Sequence, residues 1–243
     1  MRIARKMAGN VPWLPFGQTD RFSVFQEPCA YASATFWFRT DRIARSFRFF
    51  CDGRCAAAVI VVDEDGIELG ASTVSGTYTV TATAGDITNS GALIITGASI
   101  FTIGVNGSDI VLDEATNAFS NSVTLKAGSG GGGTFGDITF VDSEGAVDLD
   151  SSASANGDLY IDASTDGAVG GTLSIKANGV ITQNVDLAVT GTTTLEAGSG
   201  NDITLNRSGN NFATVIITSG NNVQLVDTNA IILGASTVSG TYA

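Results

Sequence analysis

From Thr77 to the end, the chain alternates polar Thr, Ser or Asp with Val, Ile or Leu in short runs. The runs are TYTVTA, LIIT, SIFTI, DIVLD, SVTLKA, DITFV, DLYIDA, TLSIKA, DLAVT, TTTLEA, DITLN, TVIIT and NVQLV. A period of two predicts strands that bury one face. Each run is closed by Gly, Asn, Asp or Ser, which supply positive φ or side-chain turn bonds. No run carries a 3.6-residue stripe, and strand centres fall about eleven residues apart, too close for helices between them. The body is therefore predicted to be all-β.

The runs sit inside longer repeats. LGASTVSGTY occurs twice, at Leu69 to Tyr78 and at Leu233 to Tyr242, 164 residues apart. GDITNSGALIITGASIFTIGVNGSDIVLDEATNAFSNSVTLKAGSG parallels NGVITQNVDLAVTGTTTLEAGSGNDITLNRSGNNFATVIITSG, placing Asp109 on Asp202 and Phe119 on Phe212 at an offset of 93. A Val-Asp step recurs at Asp63, Asp142 and Asp227, with spacings of 79 and 85. Self-similarity of this kind is the mark of a stacked coil, in which each turn buries its apolar face only against its neighbours. The second copy of LGASTVSGTY ends one residue before Ala243, so the chain is expected to be a piece of a longer array.

Composition separates the solenoid from other all-β folds. The body from residue 56 holds only five Phe and three Tyr, fewer than a sandwich core draws on, and no Pro, consistent with strands that bond on both sides. The aromatic residues form no girdles, against a membrane barrel. The predicted fold is a parallel β-helix (β-solenoid) of degenerate repeats over residues 56–243. Residues 1–55 share nothing with this rhythm and form an atypical basic, aromatic-rich segment, either a cap or a mispredicted start. They carry nine of the twelve basic residues, both Trp, both Met and Cys29, Cys51 and Cys55.

Charge splits at the same point, about +5 before residue 56 and −17 after it. A long acidic body excludes broad phosphate-backbone binding, so no nucleic acid partner is expected. The odd cysteines, in a chain without His, fall short of a zinc set. MRIARKMAGNVPWLPFG lacks the apolar core of a secretory signal, and AAAVIVV at Ala56 to Val62 is too short to span a bilayer as a helix.

VDTNAIILGASTVSGTY, GDITNSGALIITG and GTTTLEAGSGNDITLNRSGNNF resemble the repeat region of filamentous-haemagglutinin-like adhesins, very large bacterial surface proteins. The resemblance covers most of residues 59–243 and none of the first 55. It implies a cell-surface or secreted β-helical stalk, non-catalytic, without cofactor, that presents an unknown surface ligand site for a host or environmental glycan or protein and adjoins neighbouring repeats of a longer chain. The family's amino-terminal secretion domain, with its Asn-Pro-Asn-type motif, has no counterpart here.

Four features offer chemistry beside this. Asp148 and Asp150 alternate by two, which places both on one strand face and suggests a β-helix enzyme that cleaves polysaccharide with paired carboxylates. GSGND in AGSGNDITL resembles half of the calcium-binding nonapeptide of toxin-type β-rolls, but no tandem copy follows, so a turn entering a strand is expected. The acidic turns Asp63, Glu64 and Asp65; Asp113 and Glu114; and Asp142 and Glu144 suit either weak calcium binding, as in a calcium-stabilised extracellular module, or solvated charge that deters edge pairing. GSGGGGTFG fits G-x-G-x-x-G, yet a strand, DITFVD, follows where a dinucleotide site needs a helix. With no His, and no Cys in the body, the usual nucleophilic triads are absent. No catalytic, cofactor-binding or metal residue is assigned.

Overall fold

A computed structural model describes residues 23–25, 58–128 and 132–243. The described chain is all β-strand and turn, wound as stacked coils. The first coil holds β2 (Val59–Asp63), β3 (Ile67–Leu69) and β4 (Ser72–Val74), preceded by β1 (Ser23–Phe25), which pairs antiparallel along the outer edge of β2. The second holds β5 (Tyr78–Ala82), β6 (Ile87–Asn89) and β7 (Leu93–Ile95), the third β8 (Ser99–Ile103), β9 (Ile110–Leu112) and β10 (Ala118–Phe119). Then come β11 (Val123–Ala127), β12 (Ile138–Asp142), β13 (Val147–Asp150), β14 (Asp158–Asp162) and β15 (Ala168–Val169). The second half runs through β16 (Leu173–Ala177), β17 (Ile181–Gln183), β18 (Ala188–Glu196), β19 (Ile203–Leu205), β20 (Asn211–Ser219), β21 (Val223–Leu225) and β22 (Ile232–Leu233). Among the described residues, every strand pairing apart from that of β1 is parallel.

Three sheets form the walls: ten strands in the order β1-β2-β5-β8-β11-β14-β13-β17-β19-β21, eight in the order β22-β20-β18-β16-β12-β9-β6-β3 with β15 beside β18, and three in the order β10-β7-β4. Alternation sets which residues enter. Val61, Val80, Phe101, Leu125 and Ile161 stack in register down one wall, and Ile67, Ile87, Ile110, Ile138 and Leu173 down another, all buried. One fully buried Val, Ile or Leu contributes roughly 1.5–3 kcal/mol, and each coil places several over the last. Four of the rings in the described body are buried in a row: Tyr78, Phe101, Phe119 and Phe140 form a chain of contacts with centroids 5.9, 6.1 and 5.2 Å apart. Aliphatic residues therefore share the interior with a ring stack across several coils.

The corners are tight. A Cβ on Gly97 would lie 2.3 Å from the carbonyl carbon of Gly76 one coil below, and one on Gly91 would lie 2.3 Å from the Ala71 nitrogen. Glycine here lets the backbones of successive coils touch.

Two features depart from the sequence pattern. DLAVT and TTTLEA, separate strands by their rhythm, run together as the nine-residue β18, whose register shifts between Val189 and Thr192. The order of the ten-stranded sheet also reverses once, because β14 lies between β11 and β13 although it follows β13 in the chain. The expected turn at GSGND forms, with Gly198 at φ 86° before β19, and β12 follows the glycine-rich stretch as a strand. The head's cysteines lie outside the described residues.

Candidate functional site

The reversal at β13 and β14 gathers acids. Inward positions of β13 are Val147 and Leu149, so Asp148 and Asp150 share its outer face as the two-residue spacing predicts. Parallel pairing sets Asp148 beside Asp158 and Asp150 beside Tyr160. The carboxylates of Asp148, Asp150 and Asp158 thereby come within 4.8 Å of one another. Asp158 was not a candidate from its sequence neighbourhood; only the pairing of strands ten residues apart brings it in.

Each carboxylate is held. Thr182 donates its hydroxyl to Asp148 at 2.9 Å, and Asn184 donates its amide to Asp150. The loop of residues 151–157 folds over Asp158, whose carboxylate accepts the backbone N–H groups of Ser154 and Ala155 and which is thereby buried. One row further along the face, Lys126 pairs with Asp162 at 2.9 Å, and Tyr160 donates to Asp166 at 3.0 Å. Desolvation, with the carboxylates of Asp166 and Asp162 beside it, pushes the Tyr160 hydroxyl up to about 12. Three oxygen donors of this kind suit a hard divalent cation and no thiophilic metal. A shallow depression elsewhere, lined by Val189, Thr190, Phe212, Ala213 and Ala230, carries no carboxylate.

A second arrangement recurs once in each half. Asn117 and Asn210 are completely buried. The Asn210 carbonyl oxygen accepts the Leu187 N–H at 3.0 Å, and its amide donates to Gln183, Leu205 and Val226. Asn117 accepts the Leu93 N–H and the Asn89 amide, both at 2.9 Å. The next coil closes each corner alike: Ser143 and Thr228 bond the main-chain oxygens of Asn117 and Asn210, while Asp142 and Asp227 accept the N–H groups of Phe119 and Phe212. The Val-Asp step and the paired Phe residues, two separate sequence themes, are thus two sides of one corner. Asn117 and Asn210 were missed by sequence reasoning, although each stands two residues before its Phe at the same offset of 93.

The acidic turns divide. Glu64, Asp65, Asp113 and Glu144 are exposed or partly exposed, as expected of solvated charge. Asp63 and Asp142 are buried instead, at 7% and 4% exposure, because their side chains fold inward to cap turns. Desolvation raises the Asp142 carboxyl above its ordinary value, against the N–H groups of Glu144 and Phe119 that pull it down. At Asp202 the N–H of Asn222 holds the carboxyl below the usual range.

These two recurring halves coincide with what comparison with known proteins finds. A family model described as repeats of unknown function, DUF5649, matches residues 56–126 and again 144–219, more than half of the chain. The chain belongs to this family. No curated protein and no solved structure matches it. The second DUF5649 repeat begins at Glu144, one turn before β13, so the carboxylate cluster opens that repeat. The two repeats also use opposite walls: Asp109 leads into β9 of the nine-stranded array and its counterpart Asp202 into β19 of the ten-stranded one. No helix among the described residues is long and apolar enough to cross a membrane.

Proposed function

We propose that this chain is a structural and adhesive repeat segment of a large bacterial surface or secreted protein, a non-catalytic β-helical stalk that carries ligand-contacting faces away from the cell. The observation that supports it is the parallel stack of about eight coils, whose recurring features within the chain are corners and interior ladders. The duplicated asparagine corners serve stacking, and the resemblance to haemagglutinin-like repeats points to the cell exterior. Its partners are a host or environmental glycan or protein, together with adjacent repeats.

The test is bead adhesion. Beads coated with the chain should attach saturably to cell layers or glycan-coated surfaces, with soluble chain competing, and attachment should survive Asp148→Asn. Absence of attachment to every surface, together with cleavage of an acidic polysaccharide that Asp148→Asn abolishes, would replace this reading with that of a carboxylate-dependent polysaccharide enzyme. A melting temperature lowered by chelator would shift it toward a calcium-stabilised module, with Asp148, Asp150 and Asp158 as the donors, since a ligand selective for the folded state stabilises it.

A further inference from the structure

Asparagine is followed by glycine at Asn106-Gly107, Asn156-Gly157 and Asn178-Gly179, and all three asparagines are exposed. In such a step the glycine nitrogen can reach the carbonyl carbon of the asparagine side chain, because no Cβ on the glycine stands in the way. The reaction then depends on what holds the two groups, and the three sites differ in this.

Asn106 is held at both reacting groups. Its Oδ1 accepts the Thr134 N–H at 3.2 Å, and the Gly107 N–H donates to the Thr134 carbonyl at 2.9 Å. At Asn178 the backbone is pinned. Its N–H donates to the Asp142 carbonyl at 3.1 Å, and a Cβ on Gly179 would lie 2.7 Å from the Ala146 nitrogen, so the glycine cannot swing without parting two coils. Asn156 lies in a turn of the loop 151–157. Among the described residues, neither its side chain nor the Gly157 N–H has a hydrogen-bond partner. Gly157 stands at φ 88° and Gly107 at φ 80°, so the two turns are alike locally and differ in the bonds to Thr134. The Gly157 carbonyl accepts the Asp148 N–H at 2.8 Å, which holds the glycine in place and leaves its nitrogen free.

We infer that Asn156 is a modification site, at which the chain deamidates itself. The Gly157 nitrogen gives its proton to solvent and attacks Asn156 Cγ. The new N–Cγ bond closes an imide ring, the Cγ–Nδ2 bond breaks, and Nδ2 leaves as ammonia with a proton from solvent. Water then opens the imide at either carbonyl, giving aspartate or isoaspartate at position 156. The balance is water taken up and ammonia released, with no redox partner.

The consequence falls on the carboxylate cluster. Ser154 and Ala155 donate their N–H groups to the Asp158 carboxylate, and the Asp158 N–H returns to the Ala155 oxygen at 3.3 Å. Position 156 is therefore spanned by the bonds that hold the loop over Asp158. Isoaspartate lengthens that span by a methylene, and either product sets a new negative charge beside Asp158. Both loosen the loop.

The test is to age the full chain in mildly alkaline buffer, with peptide mass spectrometry reading the change of amide to acid at each asparagine. In the folded chain position 156 should convert about tenfold or more faster than positions 106 and 178, whose reaction must wait for local opening. In urea the three rates should converge, since only the local sequence then remains. Equal rates in the folded chain, or the same lead for position 156 in urea, would overturn the proposal. Amide hydrogen exchange reads the consequence. The aged chain should lose protection at Ser154 and Ala155, whereas Asn156→Gln, whose longer side chain closes a ring far more slowly, should age without change. Loss of protection in both chains, or in neither once position 156 has converted, would overturn the link to Asp158.

Discussion

Asn210→Ala is the most demanding check on the corner that joins successive coils. The substitution removes the acceptor for the Leu187 N–H and the donor to the Val226 oxygen, and it strips Gln183 of its amide partner. The Leu205 oxygen keeps one bond, from the Val226 N–H at 2.9 Å. A buried polar group left unsatisfied costs about 1–3 kcal/mol. Two fully orphaned main-chain groups and one weakened amide, eased by water entering the vacated space, come to about 3–4 kcal/mol. Asn117→Ala offers the comparison. Its side chain accepts two bonds while its amide nitrogen has no partner in the structure, so its loss should be smaller by about 1 kcal/mol or more. Urea unfolding followed by circular dichroism gives both values. Since a solenoid can unfold in pieces, hydrogen exchange across residues 205–226 should localise the damage. A loss below about 1 kcal/mol for Asn210→Ala, or a larger one for Asn117→Ala, would refute the reasoning.

Asp142 gives a pH prediction. Its folded carboxyl is raised above the unfolded value, so the folded state holds the proton more tightly, and stability falls as pH rises from the unfolded value through the folded one. Asp142→Asn keeps an oxygen for the Phe119 and Glu144 N–H groups, so it should raise the neutral-pH melting temperature and flatten that mildly acidic slope; a lower, equally sloped curve would contradict this. Gly97→Ala must drive a methyl into the Gly76 carbonyl and should cost about 1–3 kcal/mol in the same urea assay, and an unchanged midpoint would show that the coils can part there. Asp148→Asn removes one of three carboxylates within 4.8 Å, so at low ionic strength it should raise the unfolding free energy, by up to about 1 kcal/mol per neighbour at water-like dielectric, with the gain shrinking as salt is added. A gain unaffected by salt would point away from charge repulsion.

Strand identity and the inward residues were legible in the chain because a period of two is a local property: Val80, Phe101 and Leu125 alternate with polar neighbours, and each is buried. The parallel stack followed from repetition, since a duplicated unit with one apolar face must bury it against another copy. Even the acidic pair Asp148 and Asp150 was placed on its face by spacing alone. The reversal of β13 and β14 was not legible, because nothing in a strand's own sequence states which edge it will occupy. That choice brought Asp158 to the pair, and the second repeat's strands after it lie on the opposite walls. The burial of Asp142, and the different fates of Leu69 and Leu233 in identical decapeptides, likewise depend on what lies in the adjoining coil. Local pattern determined which face of each strand turns inward; the neighbouring coil decided whether that face is covered, because coverage is a contact between residues about twenty positions apart.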